Sequence, residues 1–281
     1  MRRLEEFLAH AVMLAACLLT LGTIFAIVGT IVWKGLPALS VEMITRPPSG
    51  GYYLGGGGGI LNAIVGSLWI GCGATGLALA VGLPVALCLR TYGGGRRRWV
   101  GAVRLAMDVL WGVPSIVYGA FGFALMVAMG IRASLLGGMI TVALLILPAM
   151  VRAIDEVMRM VPRELWEASV CLGATKIQTA VRVVVRQVFP GILGAVLLSF
   201  GRGIGDAASV LFTAGFSDRV PTSLMEPAAT LPLAIFFQLG TPFPEVQARA
   251  YASALVLTTS ILAVSLAARA LARRGAKFGV R

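Results

Sequence analysis

One oppositely charged pair sits inside an apolar run. In FGRGIGDAASVLFTAG, Phe200 to Gly215, Arg202 and Asp206 are four residues apart. That spacing places both on one face of a helix. A guanidinium at bilayer depth costs about 2.5–3.5 kcal/mol on insertion scales unless it meets a polar interior. Two readings follow. In one, Arg202 and Asp206 form an intrahelical ion pair that only neutralises both charges. In the other, Arg202 lines an anion path, where its planar fork suits a tetrahedral oxyanion and Asp206 holds it in place. Ser199, one turn earlier, adds a hydroxyl, and Gly201, Gly203 and Gly205 permit close packing or local deformation.

A second pattern is PRELWEASVCLGATKIQTAVRVVVRQVFPGI, Pro162 to Ile192. Pro162 suits a helix start, and Glu164 and Glu167 follow where a helix dipole favours acids. Gly173 ends that helix with a turn that a side chain would crowd. An amphipathic stretch follows from about Lys176 to Val188. The segment reads either as a solvated helical loop or as a knob that docks into another protein. A third feature is Gly112-Val113-Pro114-Ser115, where Pro114 kinks an apolar helix. Freed carbonyls and Ser115 can face a path there. Asp108 is either a helix N-terminal acid or a partner of Arg104.

The elements that carry these residues follow from composition. The chain has 281 residues, 58% hydrophobic and only 13% charged, with a mean hydropathy of +0.90. That is too apolar for a soluble core, and it excludes a cytosolic enzyme, a secreted disulfide scaffold and a disordered chain. The net charge of +12 sits between apolar runs, so it sets membrane topology and predicts no nucleic-acid partner. Cys17, Cys72, Cys88 and Cys171 form no CxxC pair, and His10 is the single histidine, which predicts no metal site. The five glycines Gly55–Gly59 lack the lysine of a phosphate loop, and no GxxxxGK[ST] occurs, so no nucleotide site is expected.

Six runs are long enough to span: Ala11–Trp33, Ile60–Leu89, Leu105–Met129, Ala133–Val151, Gly191–Phe212 and Ala250–Leu271. The first is read as an uncleaved spanning helix. Of the 24 Lys and Arg residues, 18 fall on one set of connections, including Arg90, Arg96–Arg98 and Arg163, and five on the other. Positive charge stays inside, so both termini face the cytoplasm of a multi-pass inner (plasma) membrane protein. Two connections are long. Residues 152–190 face the cytoplasm, and 213–249 face outward with a short helix at the interface.

The stretch Glu167-Ala168-Ser169, three residues, then Gly173 resembles the E-A-A-x-x-x-G signature of importer permeases of the ATP-binding-cassette class. The resemblance implies that Glu164, Glu167, Ala168, Ser169 and Gly173 belong to a coupling helix that fits a cleft on an ATPase subunit. Arg186 stands where that signature carries proline. The stretches GGILNAIVGSLWI, DVLWGVPSIVYGAFG and FGRGIGDAASVLFTAG, with the tail LPLAIFFQLGTPFPEVQARAYASALVL, resemble the A-type permease of phosphate-specific importers. That family commonly reads R-A-x-G-E-T-A-P in the fifth span. Here Arg202 is kept, Asp206 replaces the glutamate, and Ala207 and Ser209 stand where the family has threonine and proline.

The resemblance implies an all-α type I importer fold of six transmembrane helices with a cytoplasmic coupling loop. Residues 1–58 would hold the first helix and a periplasmic loop, and 59–275 the permease domain. It implies a second related permease, two ATPase subunits that hold ATP and Mg, a periplasmic phosphate-binding protein, and phosphate as cargo. The chain itself would bind no cofactor and catalyse no reaction. A permease for sulfate, molybdate or another oxyanion, an ion-coupled secondary transporter and a non-transporting scaffold remain as alternatives.

Overall fold

The computed structural model describes residues 2–51, 57–93 and 98–275. Gly55, Gly56, Arg96, Arg97, Lys277 and Arg281, used in the sequence reading, lie outside the described residues. Continuous apolar sequence forms α1 (Arg2–Gly35), which is exposed along nearly its whole length and packs on the last helix of the chain. A 3₁₀ turn (Leu36–Ala38) and α2 (Val41–Thr45) follow, the latter capped by the Ser40 hydroxyl, which accepts the Met43 N–H at 3.1 Å. Next come α3 (Leu61–Tyr92), α4 (Arg98–Trp111), α5 (Ser115–Ala128) and α6 (Leu135–Arg159). Then α7 (Arg163–Cys171), α8 (Lys176–Gln178), a π-helical turn (Thr179–Val184) and α9 (Val185–Ile204) form one hairpin. The chain closes with α10 (Leu231–Leu239) and α11 (Pro244–Gly275).

The core joins α3, α6 and α9 through Ile70, Ala74, Val142, Ile146, Met150, Val188 and Ile192. Small residues on α3 permit the approach: a Cβ at Gly82 would already touch Val151 and Leu147. Met43, Ile60 and Ala63 meet Ala229, Leu231 and Ala252 in a separate cluster, with Ala38 and Leu39 packed against it, so these positions anchor the connection between α1 and α3 to the bundle.

Hydrogen bonds fix the helix directions. Arg90, in the last turn of α3, donates to the Val161 carbonyl at 3.3 Å, just beyond α6. At the other end, Leu231 N–H donates to Ser67 Oγ at 2.7 Å, and Leu135 N–H donates to the Glu226 carbonyl at 2.8 Å. Helices α3 and α6 therefore run parallel, and residues 93–134 must return between their ends. The pair α4–α5 makes that return. Five continuous helices are long and apolar enough to cross a membrane, and the pair makes the sixth crossing. We call the end with Arg90 and Arg163 the basic end, and the opposite one the far end.

Three spans differ from expectation. The third is not one kinked helix over Leu105–Met129 but two helices bent by 99°. Pro114 lacks an N–H and sits at φ −58°, ψ 141°, so Gly112 and Val113 unwind before it. Ion pairs secure the bend: Arg104 grips Asp155 with bonds of 3.0 and 3.3 Å, and Arg152 meets Asp108 at 3.0 Å. Arg104 is thus not the partner of Asp108. The fourth span continues past Val151 to Arg159, which brings Asp155 into the helix.

The fifth span starts at Lys176 rather than Gly191 and stops at Ile204 rather than Phe212. Pro190 lies inside α9 without breaking it. The expected short helix is α10, whose first turn, Leu231–Ala234, is buried in the bundle while Phe236, Phe237 and Leu239 stay exposed.

Candidate functional site

Arg202 occupies the last turn of α9. A Cβ on its neighbour Gly203 would meet Val142 at 3.0 Å and Ile146 at 3.5 Å. Those residues lie seven to eleven positions into α6, so α9 ends about 10–16 Å inside the far end of the bundle. From there residues 205–215 continue without regular helix. Three glycines in five residues weaken α9, and Asp206 offers the backbone another partner. Its Oδ2 accepts the Ser209 N–H at 2.7 Å. The Thr213 carbonyl then accepts Ser134 N–H at 2.9 Å, and the Ala214 carbonyl accepts Ala228 N–H at 2.9 Å, which pins the segment at the far end. Non-helical backbone at this depth is tolerated only in protein or beside a polar cavity.

The expected Arg202–Asp206 pair is absent among the described residues, because helical spacing ends before Asp206. Arg202 is exposed on the chain's surface. Ser199 is only 3% exposed and packs into the core, so it does not share that open face. The start of α5 lies beside the 205–209 segment: a Cβ at Gly119 would sit 2.8 Å from the Ala208 carbonyl oxygen. Tyr118, one turn after Ser115, is within electrostatic reach of Arg202. The structure therefore brings a broken helix start, with Pro114 and Ser115, to the same depth as a broken helix end carrying Arg202. Val117 N–H already donates to the Pro114 carbonyl at 3.0 Å, which leaves the Ser115 and Ile116 amides as the ones without a helical acceptor, and a helix N-terminus favours negative charge. Together with an unpaired guanidinium, this arrangement can hold an oxyanion.

At the basic end, α7 follows Pro162 as expected, with Glu164 in its first turn. Leu165 and Trp166 pack against the core, while Glu164, Glu167 and Ala168 face outward. Ser169 Oγ lies 2.9 Å from Thr179 Oγ1, which is fully buried in the π turn. Helix α7 stops in a Schellman turn: Ala174 N–H donates to the Ser169 carbonyl and Gly173 N–H to that of Val170. Gly173 has φ +86°, and a Cβ there would meet nothing within 4 Å. Crowding is therefore not why glycine stands here; the left-handed backbone is. Thr175 and Gln178 then form a reciprocal capping box that starts the fifth span.

A family model described as "Binding-protein-dependent transport system inner membrane component" matches residues 78–277. The chain belongs to this family. It is 34% identical to the phosphate transport system permease protein PstA of Xylella fastidiosa strain Temecula1, over 97% of this chain and 94% of that one. It is 32% identical to PstA of Haemophilus influenzae over 85% and 84%, and 38% identical to PstA 1 of Mycobacterium tuberculosis over 75% and 69%. Its fold matches a chain of the inward-facing MetNI methionine ABC transporter with a TM-score of 0.62 and 17% identity, covering 77% of this chain and 95% of that one. A bacterial ABC transporter for alginate import matches with a TM-score of 0.55 and 14% identity, covering 97% and 99%.

In this chain, two groups of charges escaped the sequence reading. One is Asp155 with Arg104 and Arg159, for which the i, i+4 spacing of Asp155 and Arg159 was the available signal. The other is Glu226, which organises the far-end loop. Its carboxylate accepts Thr222 N–H at 2.8 Å, the Thr222 hydroxyl at 3.1 Å and Ser223 N–H at 3.3 Å. The Thr222 amide bond foremost, then its hydroxyl, holds the Glu226 carboxyl below the usual range. A depressed folded pKa stabilises the loop above the unfolded value of about 4.3 and is lost as pH falls through the folded one. Amide exchange at Thr222 and Ser223, corrected for intrinsic rate, should show protection at pH 7 that disappears only as pH falls below the ordinary glutamate range. Glu226→Ala should remove that protection throughout.

Proposed function

We propose that this chain is the A-type permease of an ATP-driven importer that receives inorganic phosphate from a binding protein outside and releases it into the cytoplasm. The basic end is the cytoplasmic one, with both termini there, in the inner membrane. Residues 59–275 form the permease domain, and α1 with the loop before residue 59 is an addition to it. The observation that carries the reading is Arg202, an unpaired, exposed guanidinium at mid-depth beside the broken start of α5. Bare lipid would penalise that group, so a second, related permease covers the face and completes a polar path. The relatives named phosphate transport permeases support phosphate as the anion.

The basic end supplies the drive. Leu172 is 89% exposed and Ile177 60%, giving α7 and its turn an apolar docking face for one of two ATPase subunits, which hold ATP and Mg. Closure of the ATPases displaces α7. Leu165, Trp166 and the Ser169–Thr179 contact pass that displacement to the fifth span, whose far end carries Arg202. The chain thus moves the anion site without chemistry of its own. Proteoliposomes holding this chain with the related permease, the ATPase and the binding protein should take up labelled phosphate. Arsenate should suppress that uptake, and sulfate or molybdate should leave it intact. Preferred uptake of sulfate or molybdate would replace the substrate.

A further inference from the structure

A cavity of about 600 Å³ opens at the basic end, between the ends of α3 and α6, α4 and the α7–α8 turn. Arg90, Arg104, Arg159, Arg163 and Lys176 line it, against one acid, Glu167. Asp155 stands behind the wall, with its side chain 2% exposed, and is already engaged by Arg104 and Arg159 at 3.0 Å each. Counting both carboxylates, three positive charges remain without a counter-charge. Surface cations normally drift apart into water. Here three are held: Arg104 and Arg159 by Asp155, and Arg90 by the Val161 carbonyl. The Arg90 Nε is buried with no partner, and Arg90 lies within electrostatic reach of Arg163, Arg159 and Arg104. Arg163, Lys176 and Glu167 form no ion pair among the described residues.

We propose that this cavity is a binding site for a phosphate group. Several guanidiniums around one concave volume match a tetrahedral oxyanion by paired hydrogen bonds, and the excess charge demands an anion. The volume exceeds a bare phosphate, so it admits inorganic phosphate with its water or the headgroup of an anionic phospholipid at the membrane edge. The bound group bridges two bodies. Arg90, Arg104 and Arg159 belong to the bundle, Arg163 to the first turn of α7 and Lys176 to the start of α8. Occupancy therefore fastens α7 to α3 and α6. If α7 couples to the ATPase as proposed above, the site acts as a brake on that motion; phosphate binding itself does not rest on that reading.

The test uses the full chain carrying Arg202→Gln, which removes the proposed transport site from the measurement. In nanodiscs of phosphatidylcholine alone, equilibrium dialysis measures binding of labelled inorganic phosphate. In nanodiscs with phosphatidylglycerol, native mass spectrometry counts retained phosphatidylglycerol. Arg90→Gln with Arg163→Gln should weaken phosphate binding at least tenfold if the free ion is the occupant, or abolish lipid retention if the headgroup is. Lys176→Gln, at an exposed position that should not disturb folding, should produce a smaller loss in the same arm. Arg182→Gln, at the same end but outside the cavity, should change neither. Unchanged binding in both arms, or an equal loss with Arg182→Gln, would overturn the proposal.

Discussion

Arg202→Gln is expected to abolish phosphate uptake at normal membrane levels. Truncating one partner of a desolvated charge pair costs about 2–5 kcal/mol, so transport should fall at least thirtyfold. A competing role exists, because Arg202 lies in the last turn of α9, where any cation offsets the helix dipole. Lysine separates the two roles. It serves the dipole as well as arginine but cannot offer two parallel bonds to an oxyanion, so Arg202→Lys should remain strongly impaired. The structure also changes the expectation for Asp206. Its carboxylate holds the Ser209 amide rather than Arg202. Asparagine keeps an acceptor there, so Asp206→Asn should transport within a few-fold of the parent, and adding it to Arg202→Gln should rescue nothing. Parent-like uptake by Arg202→Gln/Asp206→Asn would show that the arginine is structural.

Gly173→Val is expected to leave the protein inserted while reducing transport-linked ATP hydrolysis more than tenfold. The position has φ +86° and open space around it, so the penalty comes entirely from the backbone. A left-handed conformation costs an L-residue roughly 1–2 kcal/mol, and a β-branched one suffers most. Relieving that strain breaks the two Schellman bonds and releases Ser169 from Thr179, so α7 no longer moves with the fifth span. Asparagine tolerates the left-handed region, and Gly173→Asn should keep most of the coupling. ATPase assays with and without the loaded binding protein measure the effect. A Gly173→Val variant that couples normally would remove the basis for assigning α7 this role.

Local chemistry made part of this molecule legible without coordinates. Runs such as Ala11–Trp33 must be helices because a bilayer leaves only helices and closed barrels to satisfy backbone groups, and barrel strands would alternate apolar with polar residues. Pro162 and Gly173 bracket α7 because each acts on its own backbone dihedral, needing no distant partner. Pro114 announced a break for the same reason. Its size was hidden, because 99° depends on Arg104 and Arg152 reaching acids on another helix. Pro84, Pro148 and Pro190 show the converse: the same residue type inside helices that tertiary packing keeps continuous.

The end of α9 was the consequential misreading. Apolar sequence continues from Gly191 to Phe212, and four-residue spacing made Arg202 and Asp206 partners. Composition cannot distinguish a helix from irregular backbone when both are buried in protein. The choice fell to contacts between distant segments: Gly119 against the Ala208 carbonyl, Thr213 bound to Ser134, and Ala214 bound to Ala228. The last two give the Thr213 and Ala214 carbonyls acceptor roles that a longer helix would have kept to itself. Sequence alone thus determined the membrane class, the number of crossings and the α7 turn, all properties of local backbone and transfer free energy. Tertiary structure decided that α9 stops at mid-depth, that Asp206 turns to Ser209, and that five cations surround one cavity, because each depends on which distant groups come within hydrogen-bond or Coulomb range.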